Sequence, residues 1–267
     1  MAIPELSGVE YAVTGARGRP LLVLGPSLGT SAATLWEPAA RVLAERFDVV
    51  AWDLPGHGTS RPATGFSMAD LADGVEALAA RAREVRGDPG APYWYAGDSV
   101  GGCVGLQLAI TGRLAGLAAI ATGARVGDPA GWADRAAQVR ASGTASMVEG
   151  SAQRWFGPGF ADREPGVADA LLTALRDVDD ESYAAVCEAL GGFDVRDRLS
   201  EIDVPVLAVA GEADAAVGAE QLTLIAERVR RGTLVTLPGV GHLPPAEAPE
   251  RTAELITRLV AGRPGAD

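Results

Sequence analysis

Three residues of this sequence have the types and order of a nucleophile, an acid and a base that could act together. The first, Ser99, lies in residues 97–102, Gly-Asp-Ser-Val-Gly-Gly, directly after an apolar run and before a helical pattern. A serine on a sharp strand-to-helix turn projects its hydroxyl from the edge of a sheet. That hydroxyl becomes a useful nucleophile only when a histidine removes its proton. The motif therefore points to acyl transfer and requires a histidine elsewhere in the chain.

The sequence offers two histidines for the role of base. His242 lies in residues 238–243, Pro-Gly-Val-Gly-His-Leu, a loop that follows the last apolar run. His57 lies in residues 53–60, in a turn after a much earlier run. We predict that His242 is the base and that His57 is structural.

The histidine needs a carboxylate that fixes its tautomer and stabilises its charged form. Asp214 follows an apolar run through Gly-Glu-Ala and is the predicted acid, with Glu212 and Asp203 as alternatives. The order along the chain is serine, acid, histidine, which is the order found in α/β-hydrolases.

Negative charge that develops on a reacting carbonyl oxygen needs two N–H donors. The Val100 N–H, at the start of the helix after Ser99, is the first predicted donor. The second is expected in residues 25–31, Gly-Pro-Ser-Leu-Gly-Thr-Ser, where the Leu28 N–H is the candidate. An ordinary Gly-Pro turn is the alternative interpretation of this loop.

The elements that must position these residues alternate along most of the chain. Short apolar runs bounded by Gly, Pro or Asp alternate with helical patterns, which predicts an α/β fold with a mostly parallel sheet covered on both faces. Predicted strands cover residues 9–13, 21–24, 49–52, 93–96, 117–122, 206–210 and 234–237. Predicted helices cover residues 69–85, 101–110, 219–230 and 249–260.

The alternation stops between about residues 125 and 200, where amphipathic pieces follow one another without a strand. We predict a hydrolase-type core over 1–124 and 201–267 and an inserted helical cap, or lid, over 125–200. The aromatic and turn residues of 155–160, Trp-Phe-Gly-Pro-Gly-Phe, would suit a lid over a pocket, and core packing explains them equally well.

Composition excludes several other classes of function. The chain has 35 acidic and 23 basic residues and a net charge of −12, which argues against nucleic acid and membrane surfaces as partners. All basic residues are arginine, and without lysine there is no Schiff-base or pyridoxal phosphate chemistry. The scattered cysteines and histidines lack metal-site spacing. We expect no metal or cofactor, and a soluble cytoplasmic protein, because the sequence shows no signal peptide or apolar span.

Five stretches of the chain resemble the 3-oxoadipate enol-lactonases. They are residues 26–30 (Pro-Ser-Leu-Gly-Thr), 53–58 (Asp-Leu-Pro-Gly-His-Gly), 97–102, 154–160 (Arg-Trp-Phe-Gly-Pro-Gly-Phe) and 183–190 (Tyr-Ala-Ala-Val-Cys-Glu-Ala-Leu). The resemblance implies the α/β-hydrolase fold, with a mostly parallel, doubly covered sheet and a helical cap inserted after the sixth strand. It also implies hydrolysis of 3-oxoadipate enol-lactone to 3-oxoadipate in the β-ketoadipate route of aromatic catabolism. Two departures from the family bear on the substrate: Asp98 stands where the family usually has an apolar residue, and residues 241–245, Gly-His-Leu-Pro-Pro, differ from the family's Ala-His-Leu segment.

A small anionic lactone or ester approaching a chain of net charge −12 needs a local cation. Arginines of the predicted cap are the natural source, with Arg140 an alternative to Arg135 beside Trp132; a solvated helix face explains any one of them as well. The candidate substrate-binding residues are Ser27, Trp132, Arg135, Arg154 and Trp155.

Two other kinds of function stay open. A general carboxylesterase, or a cofactor-free perhydrolase of the haloperoxidase type, would use the same three residues on another acyl donor. A non-catalytic ligand receptor on the hydrolase fold could also retain them. Haloalkane dehalogenases and epoxide hydrolases use an aspartate nucleophile, and Ser99 argues against both. No sequence feature predicts the oligomeric state.

Overall fold

A computed structural model of the protein describes residues 3–14 and 18–263, and its described strands form a single seven-stranded sheet. The strands in chain order are β1 (Gly8–Ala12), β2 (Leu21–Gly25), β3 (Asp48–Trp52), β4 (Tyr93–Asp98), β5 (Leu114–Ile120), β6 (Val206–Gly211) and β7 (Gly232–Leu237). Their order across the sheet is β1-β3-β2-β4-β5-β6-β7. Only the β1–β3 pair is antiparallel.

Helices cover the sheet, and the longest of them fall where the apolar pattern has helical period. They are α1 (Ala32–Leu43), α2 (Met68–Arg86), α3 (Val100–Ile110), α4 (Pro129–Ser142), α5 (Val148–Trp155), α6 (Phe160–Arg163), α7 (Pro165–Arg176), α8 (Asp180–Gly191), α9 (Ala219–Arg228), α10 (Pro244–Glu247) and α11 (Pro249–Val260). β2 and β3 are buried at every position, and α1 packs against β3 while α3 packs against β2. Across residues 3–14 and 18–263, no helix combines the length and apolar character needed to cross a bilayer.

The parallel strands bring the predicted site residues to one edge of the sheet. Ser99 follows β4, Asp214 follows β6, His242 follows β7, and Leu28 follows β2. β2 and β4 are neighbours, with Gly25 opposite Gly97, although β3 lies between them in the chain. Strand order reverses at this point, and such a reversal leaves a crevice at the carboxyl ends of the strands.

The segment between β5 and β6 contains helices α4 to α8 and two short 3-10 helices, with α4 packed against α8. Among the described residues this segment follows the fifth strand of the chain, not the sixth, because only one antiparallel strand, β1, precedes the parallel ones. We call α4 to α8 the helical segment. That residues 125–200 form a separate cap unit stays a prediction.

The α/β fold is confirmed, and helix α1 and strand β5 are among the elements that differ from the sequence prediction. Helix α1 was not predicted, since Pro38 lies in its interior and proline normally interrupts a helix. Strand β5 was predicted over 117–122 but ends at Ile120. The next residue, Ala121, has φ +45°, outside the β region, although its N–H still donates to Val209 O of β6 at 2.8 Å.

Candidate active site

Ser99 occupies a strained turn between β4 and α3, with φ +50° and ψ −115°. Glycines make this turn possible: a Cβ on Gly97 would lie 2.3 Å from the carbonyl carbon of Gly101, and one on Gly101 would lie 2.6 Å from that of Gly25. The end of β5 holds the turn from the other side, because the Ser99 N–H donates to Ile120 O (2.9 Å) and the Thr122 hydroxyl donates to Ser99 O (2.6 Å). The surrounding structure therefore maintains a conformation that an isolated serine would avoid.

The serine, histidine and aspartate form a continuous hydrogen-bonded chain. His242 Nε2 lies 3.0 Å from Ser99 Oγ, and His242 Nδ1 lies 2.9 Å from Asp214 Oδ2. The other oxygen of Asp214 accepts N–H bonds from residues 216 and 217 at 2.8 and 2.9 Å. A carboxylate only accepts, so Nδ1 carries the proton and Nε2 is free to accept the serine proton.

The alternative residues weighed for the base and the acid have other partners. Glu212 accepts the N–H of Gly239 at 2.9 Å, and Asp203 pairs with Arg230 at 2.7 Å. His57 bonds to backbone atoms of residues 29 and 55. None of the three contacts Ser99, so the chain formed by Ser99, His242 and Asp214 has no competitor here.

The loop after β2 leaves one N–H group free to bind an oxyanion. Ser27 N donates to Thr30 Oγ1 (3.2 Å), Gly29 N donates to His57 Nε2 (3.1 Å), and Thr30 N donates to Ser27 O (3.1 Å). The N–H groups of Leu28 and Val100 are without a hydrogen-bond partner in the described part of the chain. Both predicted donors are thus available beside Ser99.

A cavity of about 250 Å³ lies over Ser99 and His242. All five candidate substrate-binding residues line it, together with residues that the sequence did not predict, Val126, Gly127, Ala215, Ala216 and Val217. The walls at Trp132, Arg135 and Arg154 are shared with a larger cavity of about 470 Å³ between α4 and α5. Ser99 and His242 therefore line the smaller of the two cavities.

Two arginines of the helical segment face this cavity without a carboxylate partner in the described residues. The guanidinium carbon of Arg135 lies 5.7 Å from the ring centroid of Trp132 and 5.5 Å from that of Tyr183, and the guanidinium group donates to the Tyr183 hydroxyl. Its buried Nε has no partner among those residues. Partial burial, and then the neighbouring Arg135, lower the pKa of Arg154. Arg140, the alternative to Arg135, instead pairs with two glutamates of α8 and does not line the cavity.

Glu247 is a residue of the site that sequence reasoning missed. Its carboxylate accepts the N–H groups of Gly157 (2.7 Å), Gly241 (3.0 Å) and Leu243 (3.3 Å), which connects the helical segment to the two residues flanking His242. Burial raises the pKa of Glu247, and these N–H groups oppose that shift. Its three partners are backbone groups, which give no signal in a sequence.

Asp98, the residue before Ser99, is fully buried. Neither of its carboxyl oxygens has a hydrogen-bond partner in the described residues. Burial, and then the nearby Asp214 carboxylate, raise the pKa of Asp98 well above its usual range, and the neighbouring Ser27 hydroxyl opposes them. Asp98 is therefore a buried carboxyl group for which the neutral form is favoured.

The profile of the alpha/beta hydrolase family matches residues 21–255. The chain belongs to this family, as the fold and the strand-end positions of its serine, aspartate and histidine indicate. Within the family, it is 31% identical to 3-oxoadipate enol-lactonase 2 of Acinetobacter baylyi over 245 residues, or 91% of this chain and 89% of that protein.

Solved structures of other proteins support this family membership. The enol-lactonase from Burkholderia xenovorans LB400 superposes with a TM-score of 0.88 at 27% identity, covering 96% of each chain. A thermophilic esterase from Thermogutta terrifontis, with malate bound, superposes with a TM-score of 0.85 at 26% identity, covering 96% of this chain and 93% of its own. The resemblance to the 3-oxoadipate enol-lactonases is confirmed, and the protein is a hydrolase of this fold.

Proposed function

We propose that the protein is a serine hydrolase that opens a small carboxylated enol-lactone, converting 3-oxoadipate enol-lactone to 3-oxoadipate. One observation supports this most: Arg135 and Arg154, which lack carboxylate partners among the described residues, line the same small cavity as Ser99 and His242. The cavity thus combines acyl-transfer groups with cations free to bind a carboxylate. The similarity to two enol-lactonases supports the same substrate.

The first half of the proposed reaction forms an acyl-enzyme. Ser99 Oγ attacks the lactone carbonyl carbon while His242 Nε2 takes its proton. The N–H groups of Leu28 and Val100 stabilise the oxyanion. When the tetrahedral intermediate collapses, the ring C–O bond breaks, and the departing enolate oxygen takes the proton from His242 and tautomerises to a ketone.

The second half releases the product. Because the opened ring stays attached to Ser99 through its acyl carbon, the ketone cannot leave until water attacks that carbon. His242 takes a proton from the water and returns it to Ser99 Oγ as the acyl–oxygen bond breaks. The products are 3-oxoadipate and free enzyme, and the groups of this chain complete the cycle.

Electrostatics explains why the arginines matter. With a net charge of −12, the protein as a whole repels a carboxylated substrate. A charge-assisted bond from Arg154 or Arg135 would offset that repulsion locally and hold the substrate carboxylate away from Ser99. The structure of the similar esterase has a dicarboxylate, malate, bound. We place the reaction in cytoplasmic β-ketoadipate catabolism.

A general carboxylesterase is the second candidate. The observation that favours it is the similarity to the Thermogutta esterase, nearly as strong as that to the Burkholderia enol-lactonase. An esterase of this kind would use Ser99, His242 and Asp214 in the same way on an uncharged acyl donor.

The test is the ultraviolet absorbance decay of freshly generated 3-oxoadipate enol-lactone, with p-nitrophenyl acetate as an uncharged comparison. The proposal predicts fast decay with the wild type, lost in Ser99→Ala, and a much lower kcat/KM on the acetate. If the acetate is hydrolysed in a Ser99-dependent way and the enol-lactone is not, the esterase function replaces the proposed one. If the wild type acts on neither, the serine hydrolase proposal is wrong.

A further inference from the structure

His57 is held in one tautomer by its two hydrogen-bond partners. Its Nδ1 lies 2.9 Å from Pro55 O, and its Nε2 lies 3.1 Å from Gly29 N. A carbonyl oxygen only accepts and an amide N–H only donates, so Nδ1 carries the proton and Nε2 offers its lone pair to Gly29. The imidazole is neutral and uses both nitrogens.

The neutral form is also the one that burial favours. His57 is 1% exposed, and burial lowers its pKa to about 4, against a smaller opposing effect of the Pro55 carbonyl and the Asp179 carboxylate. Near neutral pH the Nε2 lone pair is therefore available to Gly29. A proton on Nε2 would face the Gly29 N–H and remove this hydrogen bond.

Gly29 directly follows Leu28 in residues 27–30, which we call the oxyanion loop. Within the loop, Thr30 closes a local turn on Ser27, and the hydrogen bond from Gly29 to His57 is the one that ties this turn to a distant segment. Gly29 has φ +87°, and a Cβ there would lie 2.5 Å from Leu175 Cδ1, so the loop has little room to take another path. The hydrogen bond to His57 fixes the peptide group after Leu28, and the Thr30 bonds to Ser27 O fix the peptide group before it, so together they limit rotation on both sides of Leu28.

We propose that His57 is a positioning residue that holds the oxyanion loop so that the Leu28 N–H faces the oxygen developing on the substrate carbonyl. This inference rests on the proposed function, because it assumes that Ser99 attacks a carbonyl. His57 does not line the cavity, and it acts on the Leu28 N–H through Gly29.

The same imidazole contacts the arginine wall of the cavity. The His57 ring stacks on Tyr183, with centroids 6.2 Å apart and planes 13° apart, and the Tyr183 hydroxyl accepts a hydrogen bond from Arg135. His57 therefore lies between the group that stabilises the transition state and the group proposed to bind the carboxylate. A substitution that keeps a planar group against Tyr183 should separate the two effects.

Three variants and a control test the proposal. His57→Asn has an amide that can reach Pro55 O but is too short to reach Gly29, whereas the longer His57→Gln can present its amide oxygen to Gly29. His57→Phe keeps a ring against Tyr183 and removes both hydrogen bonds, and it serves if the Asn variant does not fold. Tyr93→Phe is the control, because it removes a buried hydrogen bond to Glu76 at the opposite end of β4.

The readouts are kcat and KM on p-nitrophenyl acetate and the enol-lactone, and inhibition by two compounds. A trifluoromethyl ketone adds to the serine and places an oxyanion in the hole, whereas 3-oxoadipate binds without forming one. Losing a whole oxyanion donor costs about 10²–10³-fold in kcat, so a misplaced donor should cost about 10–100-fold. In His57→Asn we expect this loss of kcat with KM little changed. The same variant should be inhibited more weakly by the trifluoromethyl ketone and equally well by 3-oxoadipate. His57→Gln should recover most of the wild-type kcat. Tyr93→Phe should keep wild-type kcat.

Two results would overturn the inference. One is a folded His57→Asn or His57→Phe variant with wild-type kcat; the other is an equal weakening of both inhibitors, which would indicate a general structural role. If the wild type hydrolyses neither substrate, the proposed function fails first and the inference fails with it. Activity in the wild type together with an unaffected Asn variant rejects the inference alone.

Discussion

The two sides of the cavity differ in how their polar groups are satisfied. At the sheet edge, Ser99, His242 and Asp214 bond to one another, and Asp214 takes two further backbone N–H bonds. On the helical side, Arg154 and the Nε of Arg135 have no partner in the described residues. Buried polar groups in folded proteins are usually paired, so the Arg135 Nε calls for an explanation. Arg154 is an exposed residue, and its side chain lines the cavity without a protein partner in the described residues.

The difference indicates a division of labour. Groups that satisfy one another before substrate arrives are preorganised for the reaction, which is the condition for electrostatic catalysis. Cations left without partners are available to a ligand, and a ligand that pairs with them gains affinity. We therefore propose that the sheet edge carries the chemistry and that the helical segment sets the choice of substrate.

The largest effect is expected at the nucleophile. Ser99→Ala removes the attacking oxygen but leaves the Cβ and the strained turn unchanged, so we expect kcat to fall by about 10³-fold or more on charged and uncharged substrates alike. Burst and steady-state release of p-nitrophenol measures this loss. A variant that keeps most of its activity would show that the chemistry does not lie at this edge.

The pH dependence of stability tests the neutral state of His57, which lies between the two sides. The pKa of His57 is about 4 in the folded protein and near 6.5 when unfolded. Between these pH values the folded state therefore binds fewer protons than the unfolded state. Neutral His57 contributes about 3 kcal/mol to the free energy of unfolding above pH 6.5, and this contribution is lost as pH falls towards 4.

Urea unfolding of the wild type and His57→Gln at pH 7 and pH 4.5 measures this contribution. Because burial raises the pKa values of Asp98 and Glu247 and acts in the opposite direction, the difference between the two proteins is the informative quantity. The wild type should lose more stability than the variant on acidification. Equal losses would mean that His57 is not buried in its neutral form.

Glu247 joins the two sides, so its removal should affect both. Glu247→Gln replaces an oxygen that accepts backbone N–H groups with an NH₂ group that cannot, which should cost about 1–3 kcal/mol of unfolding free energy. A lower kcat is also expected, since residues 241 and 243 flank His242. Glu212→Gln is the matched control, because Glu212 accepts a single N–H at an exposed position. Similar losses in both variants would contradict a special role for Glu247.

A smaller effect is expected from relieving strain at the sheet edge. Ser99 has φ +50°, which glycine adopts without cost, so Ser99→Gly should be more stable than Ser99→Ala by about 1 kcal/mol. Thermal unfolding of the two inactive variants provides the comparison. A less stable glycine variant would indicate that the turn carries no strain.

Sequence patterns were informative for the sheet edge and less so for the helical segment. Apolar runs placed Ser99, Asp214 and His242 after strands, and parallel strands carry their carboxyl ends to one edge. In α4, by contrast, Arg135 and Arg140 could not be distinguished. The structure shows that α8 presents glutamates to Arg140 and the Tyr183 ring to Arg135, and this depends on packing between segments about 50 residues apart.

Residues that act through backbone groups could not be predicted from the sequence for a different reason. Glu247 accepts a hydrogen bond from Gly157, 90 positions away, and His57 accepts one from Gly29, 28 positions away. Every residue except proline has an N–H group, so nothing in the sequence identifies these donors. His57 was predicted to be structural, and the structure shows which loop it holds.

Comparing 3-oxoadipate enol-lactone with its uncharged methyl ester, in the wild type and in Arg154→Ala, tests whether the helical segment sets the choice of substrate. The measurement is kcat/KM for each of the four combinations. The division of labour predicts that the wild type prefers the carboxylate, and that Arg154→Ala loses about tenfold on it through KM while its activity on the methyl ester is unchanged. An equal loss on both substrates would contradict the assignment of substrate choice to the helical segment.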